Sequence, residues 1–205
     1  MLFLFLACLH PQQPASSTAP QTPIIDATSL KKPLPEILVS HPLPAEFTKS
    51  WPASDWRYAK AYAFNFVPYG PGNFHSIYAD GRWNDKIKQS VDITREEAEY
   101  ALALIHHIGG DIELSGCMFP RHGIVYFNSS DEPVASISYC FSCEGVRVWP
   151  EYLTNEEQSR RYDIMHPAPD ENGYPSSLVV GIYEETQENW SSLFLDRLGL
   201  LSPSF

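Results

Sequence analysis

Two strand-like runs, Gly123 to Asn128 and Val134 to Tyr139, flank the short turn-forming stretch Ser129-Ser-Asp-Glu-Pro133. β-Branched and aromatic residues on both sides of a polar connection predict an antiparallel hairpin. A hairpin constrains its surroundings strongly, because once its register is chosen every side chain is assigned to a face. Pairing Asn128 with Val134 sets His122 opposite Cys140, about 5 Å apart between Cα atoms. Extrapolated further, the same register brings Cys117 near Gly145, beside Cys143.

Three of the four cysteines therefore fall at one end of the hairpin, together with a histidine. Cys140-Phe-Ser-Cys143-Glu-Gly145 resembles the knuckle of zinc ribbons and rubredoxins. There a tight turn aims two sulfurs at one ion and a glycine permits the turn's backbone. With Cys117 and His122 the set is Cys3His in the spacing C-x4-H-x17-C-x2-C, and the implied cofactor is zinc. A structural disulfide is the first alternative, since export favours oxidation. A redox pair is the second. Its thiols belong at a helix N-terminus, whereas Val146-Arg-Val-Trp149 reads as a strand. The third is nucleophilic catalysis by Cys140 with His122 as base, for which no orienting group or oxyanion donor is evident.

The pattern Cys117-x-x-Pro-Arg-His122-Gly-Ile-Val followed by Val134-Ala-Ser-Ile-Ser-Tyr-Cys140-Phe-Ser-Cys143 resembles a group of bacterial exported proteins of uncharacterised activity. These share a Cys…Pro-x-His…Cys-Phe-x-Cys pattern behind an aromatic strand and a helix. The resemblance covers residues 58–150. It implies an intact domain and a bacterial envelope origin, and brings no activity with it.

Upstream, Tyr58 to Val67 alternates with aromatics (Tyr58, Tyr62, Phe64, Phe66) on one face and small residues (Ala59, Ala61, Ala63, Asn65) on the other. Period two predicts a strand, and the small face predicts a closely packed helix. Phe74–Ala79 and Arg82–Ser90 flank Asp80-Gly81, a two-residue hairpin signal. Thr94-Arg-Glu-Glu97 is a capping box, with Ala98, Ala101, Leu102, Ile105 and Ile108 at helical spacing and Gly109-Gly110 as the stop. His106 and His107 in its last turn read as surface residues. Ile112–Leu114 and Leu178–Tyr183 read as strands. A second helix is expected from Thr186, with Trp190, Leu193, Phe194 and Leu198 on one side and Gly199 ending it. The acidic run from Asn155, with Asp163, His166, Asp170 and Glu171, lacks calcium-loop spacing and reads as a solvated loop. The fold class is α+β, a mostly antiparallel sheet with two main helices packed on it.

Residues 1–9 are apolar but shorter than the roughly 20 residues a bilayer span needs, and read as the core of an export signal. Phe5-Leu6-Ala7-Cys8 resembles the lipobox of bacterial lipoproteins, which implies acylation of Cys8. The competing reading is a cleaved signal with Cys8 incidental. Eight of the 18 prolines lie between Pro11 and Pro44. Residues 9–50 therefore read as an extended tether, with Ile37-Leu38-Val39 as a short strand or docking segment. Residues 51–205 form one domain on this reading.

Net charge is −11, and residues 151–205 carry ten acids against three bases. Such a surface repels phosphate backbones, so nucleic acid is excluded as a partner. Acidic neighbours such as Glu96/Glu99 are not placed across a cleft, which removes any basis for glycosidase chemistry. The expectation is a non-enzymatic protein of the bacterial cell envelope, membrane-anchored or secreted. It would serve an envelope partner or ligand that the residues do not identify, with Cys117, His122, Cys140 and Cys143 as a structural corner. The alternative is a thiol-dependent enzyme, an oxidoreductase or a Cys–His hydrolase, using the same corner.

Overall fold

A computed structural model describes residues 31–37, 51–52, 55–68, 75–105, 119–142, 145–151, 159, 163 and 177–202, with the backbone alone for 177–183. Cys8, Cys117, Cys143, His106, His107, the Ile112–Leu114 strand and nearly all of the acidic run from Asn155 lie outside these residues. Among the described residues, five strands form one antiparallel sheet in the order β4-β1-β5-β6-β7, and β2 and β3 form a separate two-stranded ribbon. The strands are β1 (Tyr58–Phe64), β2 (Tyr78–Ala79), β3 (Arg82–Trp83), β4 (Ile87–Ile93), β5 (His122–Phe127), β6 (Pro133–Cys140) and β7 (Gly145–Trp149). The helices are α1 (Arg95–Ile105) and α2 (Ser177–Ser191), the latter running directly into a π-helix, Ser192–Arg197. The α+β class holds.

The period-two reading of β1 predicts the helical layer on its small face. Ala59, Ala61 and Ala63 sit in the larger core with Ala98, Ala101 and Leu104 of α1 and Trp190, Leu193 and Phe194 of the C-terminal helices. One-methyl side chains let a helix approach closely, and the Tyr126 hydroxyl donates to the Ala98 carbonyl at 3.0 Å across that contact. Tyr62 and Phe64 face the other way, into a second core with Ile77, Tyr78, Val125 and Phe127 that the β2–β3 ribbon covers. Phe66 departs from the expected aromatic face and packs against the helical core. The cause is Asn65, whose φ of 56° ends the strand's alternation.

The Asp80-Gly81 turn is as expected, with φ of 49° and 76°. The strand after it is not continuous to Ser90. Asn84 stops it by donating its side-chain amide to the Ser76 carbonyl at 3.1 Å and accepting from the Lys86 amide at 2.9 Å. The chain then leaves the ribbon to form β4 at the edge of the main sheet. The capping box forms as expected: the Glu97 amide donates to Thr94 Oγ1 at 3.2 Å and the Thr94 amide to Glu97 Oε2 at 2.8 Å.

A further expectation fails in the C-terminal part. Leu178–Tyr183 is the opening of α2 and not a strand. Its β-branched composition is a weak preference, and extending an adjoining helix costs far less than nucleating a new element. Segment 31–37 lies in the stretch read as a tether, whose Ile37 also reads as the start of a short strand or docking segment, and it falls in the compact unit Lys31–Phe205. Leu34 and Ile37 pack on the larger core. Lys31 Nζ lies 2.8 Å from Glu97 Oε1, and Arg197 reaches the same carboxylate at 2.7 Å while donating to the Lys32 carbonyl at 2.9 Å. Glu97 is fully buried. Burial alone would raise its pKa, but hydrogen bonds from Lys31, the Thr94 amide and Arg197 outweigh that and hold it below the ordinary carboxylate value.

Candidate functional site

The β5–β6 hairpin exists, but its register is one residue away from the expected one. His122 pairs with Tyr139, Gly123 with Ser138 and Tyr126 with Ala135, and the pairing shifts between Tyr126 and Phe127. The turn produces the shift. Asn128 Oδ1 accepts from the amides of Ser130 (2.8 Å) and Glu132 (3.0 Å), and Asp131 takes a φ of 62°. That arrangement pairs Phe127 with Pro133 and leaves a bulge beside it.

A one-residue slip exchanges faces. His122 shares the helical face with Tyr139, while Cys140 pairs with Gly145 and lies on the ribbon face with Ser136 and Ser138. The expected His122–Cys140 juxtaposition is therefore corrected: the two residues occupy opposite faces of the sheet. Their placement does not fit one tetrahedral metal centre, nor does it fit a nucleophile with its base. Among the described residues no group of three or more His, Cys, Asp and Glu side chains is arranged to hold a metal ion. Cys117 and Cys143, the other two members of the expected set, lie outside the described residues.

His122 is fully buried. Its ring packs among Phe141 at 5.1 Å, Phe194 at 5.5 Å and Phe66 at 6.1 Å between centroids. Phe194 in turn stacks on Trp190, and Trp190 on Tyr139. Nε2 lies 2.7 Å from the Leu201 carbonyl oxygen. A carbonyl only accepts, so Nε2 carries the proton and Nδ1 holds the lone pair. Nδ1 is buried with no hydrogen-bond partner. Burial pushes the pKa down to about 4, the Leu201 bond offsets part of that, and the neighbouring Arg121 charge adds to the depression. The ring is thus neutral at pH 7.

The entry to β5 is held from several sides. Arg121 donates to the Asn65 carbonyl at 2.9 Å and lies over the Phe119 ring, and Asn65 donates to the Pro120 carbonyl at 3.1 Å. Burial lowers the Arg121 pKa, and the group interacts electrostatically with Cys140. Cys140 is a buried free thiol. Next to it, Ser138 Oγ accepts from the Ile77 amide at 2.9 Å and Ser136 Oγ donates to the Tyr78 carbonyl, which stitches the ribbon to β6. Gly123 makes this closeness possible. A Cβ there would stand 2.6 Å from the Ile137 carbonyl oxygen and 2.9 Å from Ile77 Cγ2.

The partners of His122 were beyond sequence reasoning. Leu201 is 79 residues away in the chain, and Gln89, which holds the same C-terminal segment, is 112 residues from Leu201. No local pattern marks either. Comparison of the chain with protein-family models, with curated proteins and with solved structures finds no match.

Proposed function

We propose that the chain is a bacterial cell-envelope protein, anchored through a lipid on Cys8 or secreted, whose domain acts as a non-enzymatic module. The observation that carries the non-enzymatic reading is the placement of His122. Its ring is sealed among aromatic side chains, its one donor is committed to the Leu201 carbonyl, and Cys140 lies across the sheet from it. Such a histidine holds the fold together, and Cys140, the one cysteine among the described residues, does not share its face. The export half of the reading rests on the apolar residues 1–9 with Phe5-Leu6-Ala7-Cys8, and on the Pro-rich composition of the stretch that follows. The partner of the domain is an envelope protein or ligand, and the resemblance of the Cys117–Cys143 stretch to bacterial exported proteins agrees with that setting. A thiol-dependent enzyme loses its Cys140–His122 pair to the register, so it is the weaker alternative.

The test is expression of the full chain in a bacterial host fed an alkyne-bearing fatty acid, beside Cys8→Ala. Label on the wild-type chain in the membrane fraction, absent from Cys8→Ala, is the expected result for the anchored form. Unlabelled chain in the medium is the secreted form, and unlabelled chain retained in the cytosol would sink the proposal. The same preparation, with elemental analysis and thiol titration, should show no thiol reacting rapidly near neutral pH. One fast thiol, lost in a folded Cys140→Ala protein, would restore the enzyme reading. Zinc on the purified chain would assign the remaining cysteines as its ligands.

A further inference from the structure

At one end of the sheet the register sets five residues in a row across all the strands: Gln89, Ala63, His122, Tyr139 and Val146. Ala63 stands between Gln89 and His122, and its single methyl group makes a low floor between two taller polar side chains. The C-terminal segment lies over that floor. The Leu201 amide donates to Gln89 Oε1 at 2.8 Å, the Gln89 side-chain amide donates to the Gly199 carbonyl at 3.3 Å, and the Leu201 carbonyl accepts from His122 at 2.7 Å. All three bonds are made to backbone atoms. Leu200 anchors the segment in the core at 4% exposure, whereas the Leu201 side chain is 52% exposed.

The segment also starts at a natural joint. Leu198 closes the π-helix through its amide to the Leu193 carbonyl, and Gly199 follows with a φ of 60°. A π-helix is an uncommon element that recurs at functional sites. Beneath the segment lies a histidine whose Nδ1 is buried without a partner, an unsatisfied acceptor that is costly to leave unmade.

We propose that Gly199–Leu201 is a displaceable strap over His122: local release at Gly199 uncovers the imidazole and the Gln89–Ala63–His122 cleft while the sheet stays folded. The cleft then offers a side-chain amide and an imidazole in the spacing that the backbone of an extended peptide satisfies, and the chain's own segment fills it in cis. Besides the three bonds above, the strap is held by the Leu200 amide donating to the Phe194 carbonyl at 3.0 Å, and a segment held by so few bonds is of the class that opens without global unfolding.

The experiment is acylation of histidines in the full chain by diethyl pyrocarbonate, read residue by residue by mass spectrometry, with His75 as the internal reference. Hydrogen exchange at the Leu201 amide is followed alongside. His122 of the wild-type chain should label slowly, at a rate independent of urea well below the unfolding midpoint, because the opening is local. Gln89→Ala removes two strap bonds, and should speed His122 labelling and Leu201 exchange together by about tenfold or more, with His75 unchanged. Should wild-type labelling rise with urea in step with global unfolding, the strap is an integral part of the core and the proposal fails. Equal His122 rates in the wild type and in a folded Gln89→Ala protein would overturn it as well. Should Gln89→Ala destabilise the whole domain, the wild-type urea dependence alone decides.

Discussion

The two faces of the sheet are covered in opposite ways, and one strand writes both covers. On the helical side β1 offers Ala59, Ala61 and Ala63, which supply little volume and so need a thick layer. They receive α1, α2 and the π-helix, with Trp190 and Phe194 as bulk. On the other side β1 offers Tyr62 and Phe64, which already fill most of the space above the sheet. A ribbon of two short strands, β2 and β3, completes that core, and Trp83 at its edge remains 37% exposed. The volume a strand leaves empty sets the size of the element that must cover it, because interiors pack at constant density. His122 belongs to the first face and Cys140 to the second, so the two share a sheet end but not an environment.

The largest expected effect separates the faces directly. Trp190 is fully buried and stacked against Tyr139 and Phe194, so Trp190→Ala should cost about 3–5 kcal/mol in urea unfolding. Trp83→Ala on the thin side should cost about 1 kcal/mol or less. Similar losses at both positions would show that the ribbon side carries as much of the stability as the helical side.

Acid comes next and acts on the helical face. The folded-state pKa of His122 is about 4 against an ordinary 6.5, so below pH 6.5 the unfolded chain takes up a proton that the folded chain refuses. Stability is therefore complete above pH 6.5 and declines as pH falls toward 4, by on the order of 3 kcal/mol across the window. Glu97, also depressed, contributes stability present above its ordinary value of 4.5 and lost at lower pH still. Unfolding at stepped pH should show two zones, and His122→Phe should remove the upper one. A flat profile from pH 6.5 to 4 in the wild type would mean that the imidazole is not desolvated.

The smallest effect probes the ribbon face. Gly123→Ala sets a methyl group against the Ile137 carbonyl and Ile77, and should cost roughly 1–3 kcal/mol. The loss should appear first as release of the ribbon, seen in the fluorescence of Trp83 and Trp149, with the far-ultraviolet signal of the helices retained. Simultaneous loss of both signals would show that the two covers unfold as one.

Much of this architecture was legible in local patterns, and the reason is the range of the forces involved. The capping box at Thr94 and Glu97, the Asp80-Gly81 turn and the alternation of β1 are each completed within a few residues, so their chemistry is written contiguously. The candidate site was not legible in the same way. Cys117, His122, Cys140 and Cys143 cluster on paper only if the β5–β6 pairing runs without interruption. One bulge, set by how the Asn128 side chain closes its turn, places Tyr139 and not Cys140 opposite His122. Period-two patterning survives such a shift unchanged in each strand, so nothing within either strand reports it. Leu178–Tyr183 misled for a related reason: its composition favours a strand, while the helix it joins is stabilised by packing far away in sequence.

By itself, then, the sequence determined an α+β domain, an antiparallel sheet whose small-residue face takes helices, and the turns and cap that begin its elements. The tertiary structure alone decided which cover each residue meets. It drew Lys31 and Arg197 onto the buried Glu97, laid the C-terminal segment over His122, and set His122 and Cys140 on opposite faces. Those outcomes depend on contacts between residues tens of positions apart, whose free energies exist only once the chain has brought them together.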